Sequence, residues 1–153
     1  MNLQLFASSG VFPVYNNQFK IGKSGRASST TDMVTIKDLE TFSISIDSKT
    51  DEWTPLDAEG WIRRAITGKG LTIKFSGKRN YGDPGNDYIA NTLLATGQGV
   101  ESKFEWTLPD GSKLEMNCVI NLTAPAGGDS TKIDSLEFEV LSDGLPIFTP
   151  ATI

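Results

Sequence analysis

"LTIKFSGKRNYGDPGNDYIANTLLATG", residues 71–97, passes from one kind of repeat to another. At its start Leu71, Ile73 and Phe75 fall on one side of an extended chain, and Thr72, Lys74 and Ser76 on the other. A period of two belongs to a strand with one buried and one polar face. After "GDPGND" the spacing changes. Ile89 with Leu93, and Ala90 with Leu94, stand four apart, the separation that stacks side chains on one face of a helix. Asp83 suits the cap of that helix, Pro84 its first position and Gly97 the residue past its end. The stretch predicts a strand that turns into a single helix over about 84–96.

The same alternation appears on both sides of it. "TFSISID" (41–47) puts Phe42, Ile44 and Ile46 together. "KFEWTL" (103–108) does so with Phe104, Trp106 and Leu108, and "KLEMNCVINL" (113–122) with Leu114, Met116, Cys118, Ile120 and Leu122. "SLEFEV" (135–140) adds Leu136, Phe138 and Val140. Many one-sided runs of this kind specify antiparallel sheet. Pro109, Asp110 and Gly111 supply turn chemistry between two of the runs, which makes a hairpin there. "SDGLP" near Gly144 reads as a second turn. "GKSGRASSTTD" (22–32) and "TAPAGGDST" (123–131) read as loops. "QFKI" (18–21) reads as a short strand between the first of these loops and an N-terminal segment, 1–17, that carries Phe6, Phe12 and Tyr15. The expected fold is mainly β: an antiparallel β-sandwich or barrel with one flanking α-helix. An extended arm and loop over 1–32 precede a single β domain over 33–153.

A chain of 153 residues suits one domain. Such a domain buries roughly 68–70% of the surface of its unfolded chain, enough for a real core. The net charge of -5 argues against tight non-specific binding to nucleic acid, which depends on neutralising phosphates. There is no histidine, which removes histidine acid–base chemistry, the usual nucleophile triads and histidine-ligated zinc. The single cysteine, Cys118, excludes an internal disulfide and, on the apolar side of its strand, reads as a buried hydrophobe. The N-terminus lacks the cationic region of a signal peptide, and no apolar run approaches the about 20 residues that span a bilayer. Synthesis and folding in the cytoplasm are expected, with no membrane.

Motifs for ligands fail on spacing. "GK" at Gly22 and at Gly68 would need a glycine five residues earlier to form a P-loop, and those positions are Asn17 and Arg63. The predicted helix attracts anions at its start, but Asp83 and Asp87 already occupy that end. Lys78 and Arg79 read as partners for these carboxylates, in the same subunit or another. In "DSKTDEWTPLDAEG" (47–60), Lys49 and Glu52 stand where a calcium loop needs a ligand and a glycine. No catalytic, cofactor-binding or metal-binding residues are assigned. The charge order is more informative. Asp47, Asp51, Glu52, Asp57 and Glu59 precede Arg63, Arg64, Lys69, Lys74, Lys78 and Arg79, with no acid among the latter. Surface pairs add only about 0–1 kcal/mol to one subunit, whereas complementary blocks set register between copies. The candidate inter-subunit contacts are Asp51, Glu52, Trp53, Asp57, Arg63, Arg64, Lys78 and Arg79. On this reading Arg79→Glu leaves the chain folded and impairs assembly, while Leu93→Asp unfolds it.

The ordered set "EGW", "TGK", "GKRNYGDPGND" and "LPDGSK" resembles the tail tube (major tail) proteins of long-tailed bacteriophages of Gram-positive hosts. The likeness spans about residues 33–147, and the opening "MNLQLFA" is similar to the start of several phage structural proteins. The resemblance implies a tail-tube β-sandwich or barrel, and a structural, non-enzymatic role without cofactors. It implies subunits that form hexameric rings stacked into a tube. Its partners would be further copies of itself, a tape-measure protein, and tail terminator and distal tail proteins. DNA would pass through the lumen without specific binding. The place would be a virion tail assembled in the host cytoplasm. The alternative is a monomeric β-sandwich module binding carbohydrate or protein, with Trp53, Trp61 or Tyr81 as a stacking platform.

Overall fold

The computed structural model describes residues 10–151. Eight strands make one antiparallel sheet: β1 (Gln18–Gly22), β2 (Met33–Thr35), β3 (Leu39–Trp53), β4 (Arg63–Lys78), β5 (Glu101–Thr107), β6 (Lys113–Ala124), β7 (Ser135–Ser142) and β8 (Ile147–Thr149). Among the described residues one α-helix, α1 (Pro84–Ala90), joins β4 to the second half of the chain. The strand order is β2-β1-β5-β6-β7-β4-β3, and β8 continues the line of β7 along β6. The sheet folds back on itself. Phe19 of β1 packs edge-on against Phe42 of β3 at 4.9 Å and Phe75 of β4 at 4.7 Å, so one end of the strand order covers the other.

The apolar faces read from the sequence meet in this fold. Ile73, Phe75, Phe104, Met116, Cys118, Ile120, Leu136, Phe138 and Val140 are all buried. The turn at 108–112 closes with Leu108 N–H donating to the carbonyl of Ser112 at 2.8 Å.

Two regions, the N-terminal part and the helix, differ from their sequence patterns. The N-terminal part is woven into the sheet: Phe19 and Ile21 of β1 are core residues, so a division at residue 32 runs through the core. Of the arm, residues 1–9, with Phe6, lie outside the described residues. The loop over 22–32 is held by its own subunit. Arg26 donates from Nε to the carbonyl of Ser102 (3.3 Å) and from Nη2 to the carbonyl of Cys118 (3.1 Å) and to Asp143 Oδ2 (2.9 Å).

The helix is shorter than its pattern. It ends at Ala90, and the Thr92 hydroxyl donates to the Ile89 carbonyl at 2.7 Å. A side chain that offers the backbone such a bond competes with helical continuation. Ile89 and Ala90 are buried, but Leu93 is 58% exposed, and Leu94 is exposed as well. The expected contact of Leu93 with the sheet is not formed. Gly97, with φ of 59°, opens a separate 3-10 turn instead of ending α1.

A candidate assembly surface on a projecting ribbon

Strands β3 and β4 outrun the rest of the sheet. β4 pairs with β7 only from Thr72 to Lys78, and the Ser142 hydroxyl receives the N–H of Leu71 at 2.9 Å where β7 ends. Past that point β3 and β4 have only each other. They form a two-stranded ribbon, paired from Leu39↔Gly77 to Trp53↔Arg63, with one register shift at its base, Leu39/Thr41, and one further out at Lys49/Thr50. Thr67, skipped at this bulge, donates to the Lys49 carbonyl at 3.3 Å. Bulges of this kind raise the local twist and aim a strand.

The core face continues along the ribbon without a core. Ile44 and Ile46 share the face of Phe42, and beyond the bulge Ile66 lies opposite Thr50. Ile46 and Ile66 are each 61% exposed, because no strand among the described residues reaches over them. The sequence expectation that Ile44 and Ile46 are core is therefore corrected: alternation reports a face, not what covers it. At the tip, Leu56 stands in a 3-10 turn, Glu59 takes the left-handed φ of 51°, and Trp61 and Ile62 point outward.

Six of the eight predicted contact residues come together near this tip: Asp51, Glu52, Trp53, Asp57, Arg63 and Arg64. Arg64 Nε donates to Glu52 Oε1 at 3.0 Å, and the Arg63 guanidinium lies 5.4 Å from the Trp53 ring centre. The acid-before-base order thus has a local cause, since a hairpin sets the two blocks on facing strands. Asp51, Asp57, Glu59 and Arg63 make no ion pair among the described residues.

Lys78 and Arg79 lie at the other end of the ribbon. Lys78 pairs with Glu40 at 3.3 Å in the same subunit. Arg79 takes the first of the two alternatives left open by the sequence, a carboxylate of its own subunit. Its side chain is only 8% exposed, and Nη1 donates to Asp87 Oδ1 (2.7 Å), Asn86 Oδ1 (2.9 Å) and the Asn80 carbonyl (3.1 Å). The fully buried Asn86 returns its amide to the carbonyls of Lys37 (3.1 Å) and Lys78 (3.0 Å). Asp83 caps α1 as expected, accepting from Asn86 N–H at 3.0 Å and also from Lys37 N–H at 3.2 Å. The cations and glycines before the helix are a structural junction. Within the subunit Arg79 acts as an internal clamp.

The exposed apolar residues of the ribbon that sequence reasoning missed are Ile44, Ile46, Leu56, Ile62 and Ile66. A usable signal existed in the uninterrupted length of "LETFSISIDSKTDEW" and its partner, which exceeds the other strands. As for a sugar platform, one face of Trp53 carries Arg63, and Arg79 stands 4.2 Å from the ring centre of Tyr81.

Neither a protein-family model nor a curated protein matches the sequence. Solved structures do. A chain from the tail of an empty gene transfer agent particle, refined with C6 symmetry, superposes with a TM-score of 0.72 at 19% identity, over 92% of this chain and all of that one. The fold is shared. A chain of a native gene transfer agent virion gives 0.65 at 21% identity, over 92% of this chain and 100% of that one. A chain from the sheath-tube complex of an extracellular contractile injection system gives 0.62 at 14% identity, over 99% of each chain. Among the described residues no helix is long and apolar enough to cross a membrane.

Proposed function

We propose that the chain is a structural tail tube protein, whose copies form rings of six that stack into the tube of a virion tail assembled in the host cytoplasm. The observation that carries this reading is the superposition, over nearly the whole of both chains, on a chain from a six-fold symmetric tail. The ribbon supports it independently. An isolated two-stranded ribbon is marginal in water, and its bare edges and apolar face invite other chains. A neighbouring copy would supply what this subunit lacks over Ile46 and Ile66.

The polar sheet face suits a bore. Ser43, Lys74, Glu139 and Asn121 follow one another across β3, β4, β7 and β6 on the side away from the core. Joined edge to edge between copies, such faces make a hydrated wall, in a chain of net charge -5, that conducts DNA without holding it. A tape-measure protein within the tube, terminator and distal tail proteins at its ends and a non-enzymatic role belong to the same reading, as do long-tailed phages of Gram-positive hosts. Antibody to this chain should label purified tails along their full length. Tails that carry no label between their ends would refute the assignment.

A further inference from the structure

The base of the ribbon holds a socket. A cavity of about 210 Å³ opens beside 39–42 of β3, walled by Tyr15, Phe19, Leu39 and Phe42, with Asp38 and Glu40 among its lining residues. It reaches the aromatic cluster of the core, since Phe19 is buried while Phe42 is only partly covered. Asp38 is held there at φ of 64°, a left-handed conformation uncommon outside glycine.

The tip of the ribbon has the opposite character. Trp61, 78% exposed, and Ile62 project from it, and the adjacent Arg63 has no carboxylate partner among the described residues. Tryptophan and arginine are the residues most often found as interface anchors. The tip therefore offers an apolar knob beside a cation, with Asp57 and Glu59 in the turn before it. The socket offers an apolar hole rimmed by two carboxylates, Asp38, which accepts from Asn80, and Glu40, which pairs with Lys78 and keeps one oxygen for a second cation. One molecule cannot join its own two ends. From Phe42 to Trp53 the extended strand covers about 36 Å, at roughly 3.3 Å per residue.

We propose that this socket receives the ribbon tip, Trp61 to Arg63, of a second copy, with Arg63 facing Asp38 and Glu40. The inference rests on the tube reading above and names the surface that receives the ribbon. The contact is head-to-tail: each copy gives one tip and takes one. Such heterologous contacts propagate into rings or open stacks and do not stop at a dimer.

Paired cysteines test it. The native Cys118 is fully buried, with its thiol pushed up to about 12, so it stays silent. In the full chain carrying Trp61→Cys and Tyr15→Cys, mild oxidation of assembled protein should give a ladder of disulfide-linked oligomers, absent from either single variant. The charge exchange is an independent arm. Arg63→Glu and Glu40→Arg should each reduce assembly at least tenfold, and together restore most of it. Tubes that form but give no ladder and no rescue overturn the socket while leaving the tube reading intact. Wild-type chain that stays monomeric, with no ladder in the paired variant, overturns both.

Discussion

Arg79 Nη1 lies 2.7 Å from Asp87 Oδ1, and both residues belong to one subunit. The bond ties the end of β4 to the first turn of α1, with Asn86 bridging the same guanidinium to the backbone at Lys37 and Lys78.

Arg79→Glu is therefore expected to destabilise the monomer. It replaces a nearly buried cation by an anion facing Asp87 and Asn86, at a cost of about 2–4 kcal/mol. Urea unfolding followed by circular dichroism measures it. A variant with the wild-type midpoint that fails only in assembly would restore the intermolecular role that the sequence suggests.

The two halves of the helical pattern separate cleanly. Ile89→Asp places a charge in the core and should abolish folding. Leu93→Asp, at a solvent-facing position, should change stability by no more than about 0.5 kcal/mol. Thermal melts of the two variants check this, and unfolding of Leu93→Asp would show that the chain after Ala90 packs on the sheet.

Much of this was legible in the sequence. Alternation located the buried faces of β5, β6 and β7, and turn residues placed the hairpin at 108–112, because those signals are local. What covers a face is not local. The same period of two in "TFSISID" runs from the half-buried Phe42 to the exposed Ile46, since β7 stops at Ser142 while β3 continues. The helix end was equally hidden: it depends on the Thr92 hydroxyl reaching the Ile89 carbonyl. The order of the charge blocks is plain in the sequence, but one cause of it, pairing across the hairpin at Glu52 and Arg64, needed the register.

Ile46→Asp tests the ribbon against the core. Because Ile46 is uncovered in the subunit, the folded monomer should keep its stability to within about 0.5 kcal/mol. Assembly should fall by at least tenfold, as a charge enters an apolar contact. By contrast Ile73→Ala, a few residues away across the ribbon, should cost about 2–5 kcal/mol by opening a cavity in the core. Equal destabilisation of the monomer by both variants would show that the ribbon face is covered within one subunit.

Cys118 gives a pH test. Burial raises its thiol from an ordinary 9.0 to about 12. A raised thiol stabilises the fold fully below its unfolded value, and that contribution is lost as pH climbs from about 9 toward 12. At pH 8 iodoacetamide should leave the folded chain unmodified and label it after urea unfolding. Rapid labelling of the native chain would mean that the segment pinned by Arg26 opens freely.

On the proposed function, this chain builds a tube from copies of itself. Electron microscopy of the purified full-length protein and of the particles that contain it tests this most directly. The account predicts stacked rings with six-fold symmetry and a continuous bore. Persistent monomers in the purified protein, together with absence of the chain from tails, would contradict it.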